Sequence, residues 1–212
     1  SNPVPIQMPI GSAEEFKGVV DLVEMKAIVW DDEKDILSVR EEAIPDDLKD
    51  KAAQWHTRLV EVAAESTDVL MEAYLEHDAL TVPQIREGLR IRCIKNEVIL
   101  TLCGTAFKNK GIQPLLDSVV HYLPSPLDVP PVEDASSEEA EEGKPVAVRK
   151  PSDDEPFAAM VFKITTDPFV GTLSFVRVYS GVLNAGDAFI NSSNHKKQRC
   201  GRMVRMHADD RE

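Results

Sequence analysis

The chain has 212 residues, with 24 basic and 37 acidic side chains, which gives a formal net charge of −13. This balance argues against a surface that coats nucleic acid generally, although it allows a local basic face. Charged residues make up 29% of the chain and apolar residues 42%, as in soluble globular proteins, which argues against wholesale disorder. The length exceeds one ordinary domain of about 100–150 residues and predicts one or two domains.

The cysteines and histidines show no spacing that is typical of metal binding. Three cysteines (Cys93, Cys103 and Cys200) include no CxxC pair, so neither a disulfide framework nor a cysteine-based zinc site is supported. The five histidines form no HxxxH or HExxH pair, so we predict no metal and no histidine base. No apolar run reaches the ~18 residues that a membrane span needs. We therefore expect no membrane partner. The unpaired cysteine spacing favours a reducing compartment, so we expect a cytoplasmic location.

The N-terminal block begins with extended segments. Prolines at positions 3, 5 and 9 exclude a helix over 3–11 and allow an edge strand. The apolar runs 18–22 and 27–30 predict two further strands. An acidic turn at 31–35 joins the second of them to the run 36–40, and these two runs are predicted to form a hairpin.

From Pro45 the apolar residues recur every three or four positions, which predicts one long amphipathic helix over 45–77. A second helix is predicted to begin at Thr81, which forms a capping box with Gln84. The buried face of this second helix is predicted to consist of Ile85, Leu89 and Cys93.

The run 98–103 is continuously apolar, which is typical of a strand buried on both faces in a parallel sheet. A loop at 104–111 follows. Apolar residues at i, i+3, i+4 and i+7 then predict a helix over 112–123. Strand, loop and helix form one α/β unit, and the loop lies at the carboxyl end of the strand, where such sheets bind ligands.

An acidic and proline-rich stretch divides the chain. Between Pro124 and Glu155 lie ten acidic and three basic residues, so more than half of the net charge is found here. Like charges repel one another and prolines remove backbone donors, which predicts an extended linker over 127–155.

Beyond this stretch, four short apolar runs alternate with turn signals at roughly ten-residue spacing. The predicted strands are 158–164, 173–179, 188–190 and 201–206. This pattern favours an antiparallel β-barrel, but the strands before Glu212 are too few to close one.

The loop at 104–111 resembles the last guanine-binding motif of the translational GTPases. The runs 122–126, 153–157, 167–171 and 171–187 are similar to elongation factor G in particular. The segment 3–11 and the two long helices resemble the insert that this family carries inside its GTPase domain.

This resemblance implies a fold for each part of the chain. Residues 1–126 would be the C-terminal part of a P-loop-type α/β GTPase domain, with an α+β insert at about 12–96. Residues 127–155 would be the linker, and 156–212 the first strands of the domain II β-barrel, which is antiparallel and incomplete. We interpret the chain as an internal fragment.

The resemblance also implies binding residues. The family's alanine N–H contacts the guanine carbonyl oxygen, which assigns the guanine side to Thr105, Ala106 and Phe107. The parent protein would use GTP or GDP with Mg²⁺. This chain has neither the GxxxxGK[ST] phosphate loop nor the DxxG motif, and Ile112 occupies the aspartate position of Asn-Lys-x-Asp. We therefore expect no catalytic residue, no bound cofactor and no GTP hydrolysis in this chain alone.

Two partner surfaces follow from the resemblance. Lys196, Lys197, Arg199 and Arg202 would contact small-subunit ribosomal RNA through phosphates, although a solvated hairpin tip explains them equally well. The insert would meet the ribosomal stalk protein. Its candidate contact is one helix side with four acidic residues: Glu61, Glu65, Asp68 and Glu72. A plain solvated face is the alternative.

The function implied for the parent is that of elongation factor G, the ribosome-dependent GTPase that promotes tRNA–mRNA translocation in protein synthesis. A sibling translational GTPase is an alternative, namely a release-factor type, a tetracycline-protection type or a ribosome-recycling paralogue. A non-catalytic ribosome-binding module is an alternative of another class.

Overall fold

The computed structural model describes residues 2–30, 39–133, 148–167, 171–207 and 210–211. The chain divides into two compact units, the N-terminal unit (1–124) and the C-terminal unit (125–212). No helix in the described ranges is long and apolar enough to cross a membrane.

The N-terminal unit begins with a short strand and an antiparallel meander. The strands are β1 (Pro3–Pro5), β2 (Gln7–Ile10), β3 (Gly18–Asp21), β4 (Lys26–Trp30) and β5 (Val39–Glu42). Strands β2 to β5 form one sheet in chain order, which leaves the proline-containing β2 at an edge, as its sequence predicts. The predicted hairpin is confirmed by the pairing of β4 with β5. The predicted turn at 31–35 and positions 36–38 of the second predicted strand lie outside the described residues.

The prediction of one helix over 45–77 is wrong, because two helices form there: α1 (Asp46–Ala64) and α2 (Asp68–His77). The chain is extended at Thr67, and its hydroxyl accepts the N–H of Leu70 at 3.3 Å, which caps α2. This restart also shifts the apolar face. Leu70 is 4% exposed, whereas Val69, which the continuous stripe would bury, is 74% exposed.

The next elements are α3 (Val82–Ile94), β6 (Ile99–Thr101) and α4 (Ile112–Tyr122). The capping box of α3 is confirmed, since the Thr81 N–H donates to Gln84 Oε1 at 2.9 Å. Strand β6 pairs in parallel with β1. The expectation that β6 is buried on both faces is wrong, because β1 is its sheet partner within the described residues and Ile99 is exposed.

Two apolar clusters stabilise this unit. The larger one joins the meander, β1 and the helices, and its fully buried side chains include Met8, Leu22, Leu59, Ile85 and Leu89. Helices α1 and α3 touch directly at Gly88, where a Cβ would overlap the Ala63 carbonyl. The smaller cluster lies on the meander: Phe16, Val19, Ile28 and Trp30, with Cys103 packed against them.

The C-terminal unit consists of antiparallel strand pairs. Its strands are β7 (Val132–Glu133), β8 (Val148–Arg149), β9 (Ala158–Asp167), β10 (Gly171–Ser180), β11 (Ala188–Asn191), β12 (Lys196–Arg199), β13 (Met206–His207) and β14 (Asp210–Arg211). Each pairs with its neighbour in the chain. Strands β7 and β8 fall within the predicted linker, whose residues 134–147 lie outside the described ranges. A closed barrel stays a prediction.

The predicted strand over 201–206 is wrong. Strand β11 pairs instead with β12, and 200–205 is irregular. The reason is a tight turn at 192–195, in which Asn191 Oδ1 accepts the N–H of Ser193 and Asn194 Oδ1 accepts that of Lys196, both at 3.0 Å. Asparagine side chains favour such turns, and this one reverses the chain earlier than the apolar pattern indicates.

Candidate functional site

The predicted guanine-side loop follows β6 and is closed by its own backbone. The Thr105 N–H donates to the Lys110 carbonyl at 2.9 Å, and the Lys110 N–H donates to the Thr105 carbonyl at 3.2 Å. Between them, residues Ala106–Lys108 form a single 3₁₀ turn. The Lys108 and Asn109 amides donate to the carbonyls of Thr105 and Ala106, at 3.2 and 3.1 Å.

These bonds do not include two of the N–H groups at the predicted guanine side. Within the part of the chain that the structure describes, the N–H groups of Ala106 and Phe107 have no internal acceptor. Ala106 is exposed and the Phe107 side chain is fully exposed, so the turn is not filled by its own side chains. A backbone N–H without an internal partner can bond an acceptor on a ligand. The Thr105 hydroxyl makes no capping bond, so the backbone bridge to Lys110 holds this end of the loop.

The ends of the loop approach each other closely. Gly111 has φ +87°, and a Cβ there would lie 2.7 Å from the Cys103 carbonyl oxygen and 2.9 Å from the Gly104 Cα. Glycine alone adopts this conformation without steric cost and also leaves room for the opposite strand end. The glycine therefore fixes where α4 leaves the loop.

Two buried polar side chains connect the loop to the meander. Lys110 is 3% exposed, and its Nζ donates to the Phe16 carbonyl at 3.2 Å. Gln7 is 4% exposed, and its Oε1 accepts the N–H of Cys103 at 3.2 Å. Sequence reasoning missed both residues, because a lysine and a glutamine between glycines and prolines read as surface positions. The adjacent Gly111 is the one local signal that Lys110 lies at a crowded turn.

Cys103 lies at the end of β6 and packs against the smaller apolar cluster. Burial raises the pKa of its thiol, which disfavours the thiolate that a nucleophile needs. This environment fits the interpretation of Cys103 as a small core residue.

A cavity of about 140 Å³ lies among the meander, α3 and α4. Four of its charged side chains form ion pairs: Lys26 pairs with Glu24 at 2.5 Å and with Glu41 at 2.6 Å, and Arg86 pairs with Glu24. The hydrogen bond from Lys26 lowers the pKa of Glu24, whereas burial raises the pKa of Tyr122 to about 12. These pairs join the β3–β4 turn to α3 and indicate a structural role.

The structure divides the predicted RNA-binding residues between two strand faces. Lys196, Lys197 and Arg199 lie on β12, one arm of the β11–β12 hairpin, and the turn itself is formed by 192–195, so the alternative of a solvated hairpin stays open. In the register with β11, Lys197 lies opposite Ile190 and Arg199 opposite Ala188. Side chains alternate along a strand, so these two share one face and Lys196 lies on the other. Arg202 follows in the irregular segment, and all four are exposed.

The acidic residues of the insert do not form one helix side. The break at 65–67 places Glu61 on α1 but Asp68 and Glu72 on α2. Glu65 caps the end of α1 and pairs with Arg92 at 2.6 Å. All four acidic residues are exposed, but the i, i+4, i+7, i+11 relation does not continue across the break.

Comparison with known families identifies part of the chain. Residues 156–212 match the sequence model of the family described as elongation factor G domain 2. These residues are therefore similar to that domain family. The resemblance to elongation factor G is thereby confirmed for this part of the chain, which matches domain 2.

Comparison with solved structures extends the likeness over almost the whole chain. The fold is similar to that of a protein from Thermus thermophilus known from its crystal structure, with a TM-score of 0.70 and 22% sequence identity. The alignment covers 99% of this chain and 27% of that protein. The chain therefore spans about a quarter of that protein's length, and the shared feature is the fold.

Proposed function

We propose that this chain is part of an elongation-factor-G-type GTPase, which hydrolyses GTP on the ribosome and promotes tRNA–mRNA translocation in the cytoplasm. The observation that carries the proposal is the 104–111 loop, where the N–H groups of two exposed residues have no acceptor among the residues that the structure describes. The family of residues 156–212 supports the choice of translation factor.

In this proposal, the Ala106 N–H donates to the guanine carbonyl oxygen, and the exposed Phe107 lies beside the base. The Thr105–Lys110 bridge holds both amides in place, so that their geometry is preorganised for an acceptor. The nucleotide, with its Mg²⁺, supplies the phosphoryl chemistry, and the phosphate-binding groups come from other segments of the complete protein. The contribution of this chain is therefore base recognition, and we expect the isolated chain to bind GTP poorly and to hydrolyse none.

Calorimetry with GDP tests the base contact in the complete protein that contains this chain. The variant Ala106→Pro removes the N–H, and proline is tolerated at the first position of a helical turn. We expect Ala106→Pro to weaken GDP binding about tenfold, as the loss of one hydrogen bond to a bound ligand does. Ala106→Ser retains the N–H and serves as the control. Absence of GDP binding by the unaltered complete protein would refute the proposal.

We also propose that the Lys197–Arg199 face of β12 contacts phosphates of small-subunit ribosomal RNA. Both side chains are exposed and share one strand face. Reversal of both charges should weaken ribosome binding and reduce the dependence of log K on log salt by about two phosphate contacts. Lys196→Glu, on the opposite face, is the matched control. Equal salt dependence for the unaltered protein and the double variant would reject this contact.

The insert is our candidate for the ribosomal stalk contact. The acidic residues of α2, Asp68 and Glu72, offer one continuous helix side for it. NMR titration with the stalk protein should shift resonances of α2 more than those of the C-terminal unit. Shifts confined to other elements would exclude this surface.

A further inference from the structure

The side chain of Lys110 does more than loop closure requires. The loop is already closed by the two backbone bonds between Thr105 and Lys110. A buried cation is unfavourable unless it is hydrogen-bonded, and here the Lys110 Nζ crosses to the carbonyl of Phe16, 94 residues away in the chain. The bond therefore connects two segments rather than the ends of one loop.

The segment that receives this bond is itself fixed to the meander. Phe16 ends the short turn Ala13–Glu15 and packs in the smaller apolar cluster. Next to it, the Lys17 N–H donates to the Ile10 carbonyl at 2.9 Å, and the Trp30 N–H donates to the Lys17 carbonyl at 3.2 Å. The acceptor of Lys110 is thus held between β2 and β4.

Two further bonds join the same sheet to both sides of the loop. Gln7 on β2 accepts the Cys103 N–H just before the loop, at 3.2 Å. Trp30 on β4 donates from Nε1 to Gln113 Oε1 on α4, just after the loop, at 3.3 Å. The meander therefore contacts the loop before, at and after the turn that carries the free amides.

We propose that Lys110 is a positioning residue, which fixes the Ala106–Phe107 amides relative to the β2–β4 sheet and so sets the affinity for the guanine base. This inference rests on the proposed function, because it assigns a role at the same loop.

The test uses the complete protein and two lysines of one loop. Lys110→Met retains the length of the side chain and removes the ammonium, while Lys108→Met alters an exposed lysine two positions away. Calorimetry gives Kd for GDP and for 6-thio-GDP, in which a weakly accepting sulfur replaces the guanine carbonyl oxygen. Thermal unfolding of each variant is measured in parallel.

We expect Lys110→Met to raise the Kd for GDP about tenfold, and Lys108→Met to change it less than about twofold. The preference for GDP over 6-thio-GDP should decrease in Lys110→Met, because the amide no longer meets the carbonyl oxygen. Lys110→Arg, which keeps a cationic donor, should restore most of both values.

The results that would contradict the role of Lys110 differ from those that would contradict the proposed function. An unchanged preference for GDP over 6-thio-GDP in Lys110→Met, with or without a lower melting temperature, reduces Lys110 to a structural role and overturns the inference alone. Failure of the unaltered protein to bind GDP overturns the proposed function and this inference with it. If Lys110→Met does not fold, Lys110→Gln replaces it, since the shorter neutral amide removes the charge, and an unchanged GDP preference in that variant is equally contrary.

Discussion

The two units differ in what their apolar residues contact. In the N-terminal unit, side chains from sheet and helices are fully buried in shared clusters. In the described part of the C-terminal unit, no large apolar side chain is buried, and Phe162, Ile164 and Ile190 are exposed. Antiparallel pairing needs only adjacent strands and a suitable turn, whereas a core needs a second layer. The strand pairs of the C-terminal unit therefore form although its described residues contain no buried apolar core.

Helix α4 shows the same contrast inside the N-terminal unit. Its apolar stripe is regular, yet Leu115, Leu116, Val119 and Val120 are exposed, while Tyr122 is buried. An apolar stripe normally faces a core. The face of α4 toward the meander is instead formed by Tyr122 and smaller or polar residues such as Ser118, which lines the cavity.

The largest difference between the units should appear on truncation of apolar residues. Leu89 on α3 is 0% exposed, whereas Ile164 on β9 is 66% exposed. We expect Leu89→Ala to lower the free energy of unfolding of this chain by about 2–5 kcal/mol, because it removes packed atoms and leaves a cavity. Ile164→Ala should cost less than about 0.5 kcal/mol, as is usual at exposed positions. Urea unfolding monitored by circular dichroism measures both.

The same pair of variants distinguishes the isolated chain from the complete protein. If a closed barrel forms there, Ile164 becomes buried and its truncation should become as costly as that of Leu89. Equal and small effects of Ile164→Ala in both settings would contradict the predicted barrel.

A smaller effect is expected at the break between α1 and α2. Thr67→Ala removes the hydroxyl that accepts the Leu70 N–H, and the loss of such a cap costs about 1 kcal/mol. Thr57→Ala is the control, since Thr57 lies within α1 and its hydroxyl bonds the Ala53 carbonyl of the same helix. Thermal unfolding should show a lower midpoint for Thr67→Ala alone. A variant as stable as the control would mean that the cap does not stabilise α2.

The smallest effect concerns Asp21, at the turn between β3 and β4. Its Oδ1 accepts the N–H groups of Val23 and Glu24 at 2.8 and 3.0 Å, but burial raises the pKa of its carboxyl. The folded state then binds the proton of Asp21 more tightly than the unfolded state does. Protonation of Asp21 therefore stabilises the fold at low pH, and this contribution is lost as pH rises through the raised pKa. At neutral pH the ionised Asp21 therefore weakens the fold.

Asp21→Asn keeps an oxygen acceptor for the turn and removes the charge. We expect it to raise the free energy of unfolding at pH 7 by less than about 1 kcal/mol. The gain should disappear below the ordinary pKa of an aspartate, where the carboxyl is neutral in both states. A gain that is independent of pH would assign the effect to something other than the charge.

The sequence predicted those elements whose signals are local. The capping box at Thr81, the proline-containing edge strand and the β4–β5 hairpin each depend on residues close in the chain, and the structure has all three. The Thr67 break was also local, but the continuous apolar period over 45–77 obscured it. The asparagines at 191 and 194 similarly outweighed the apolar run at 201–206.

The site was predicted only in part, for a physical reason. The position of the loop follows from an apolar run, a glycine and a helix, whereas guanine binding at its amides stays a prediction. The bonds of Lys110 and Gln7 span more than 90 residues. No periodicity or spacing within one element encodes contacts between residues so far apart in the chain. These two contacts could therefore be found only from the structure.

The direct contact of Gly88 with Ala63 has a mechanical consequence. The two helix backbones leave no room there for a side chain at position 88, so any larger residue would force α1 and α3 apart. From α3, Arg86 reaches Glu24, and Arg90 reaches the carbonyls of His121 and Leu123, both at 2.9 Å. Through these bonds α3 contacts both the end of α4 and the β3–β4 turn, so its position bears on both.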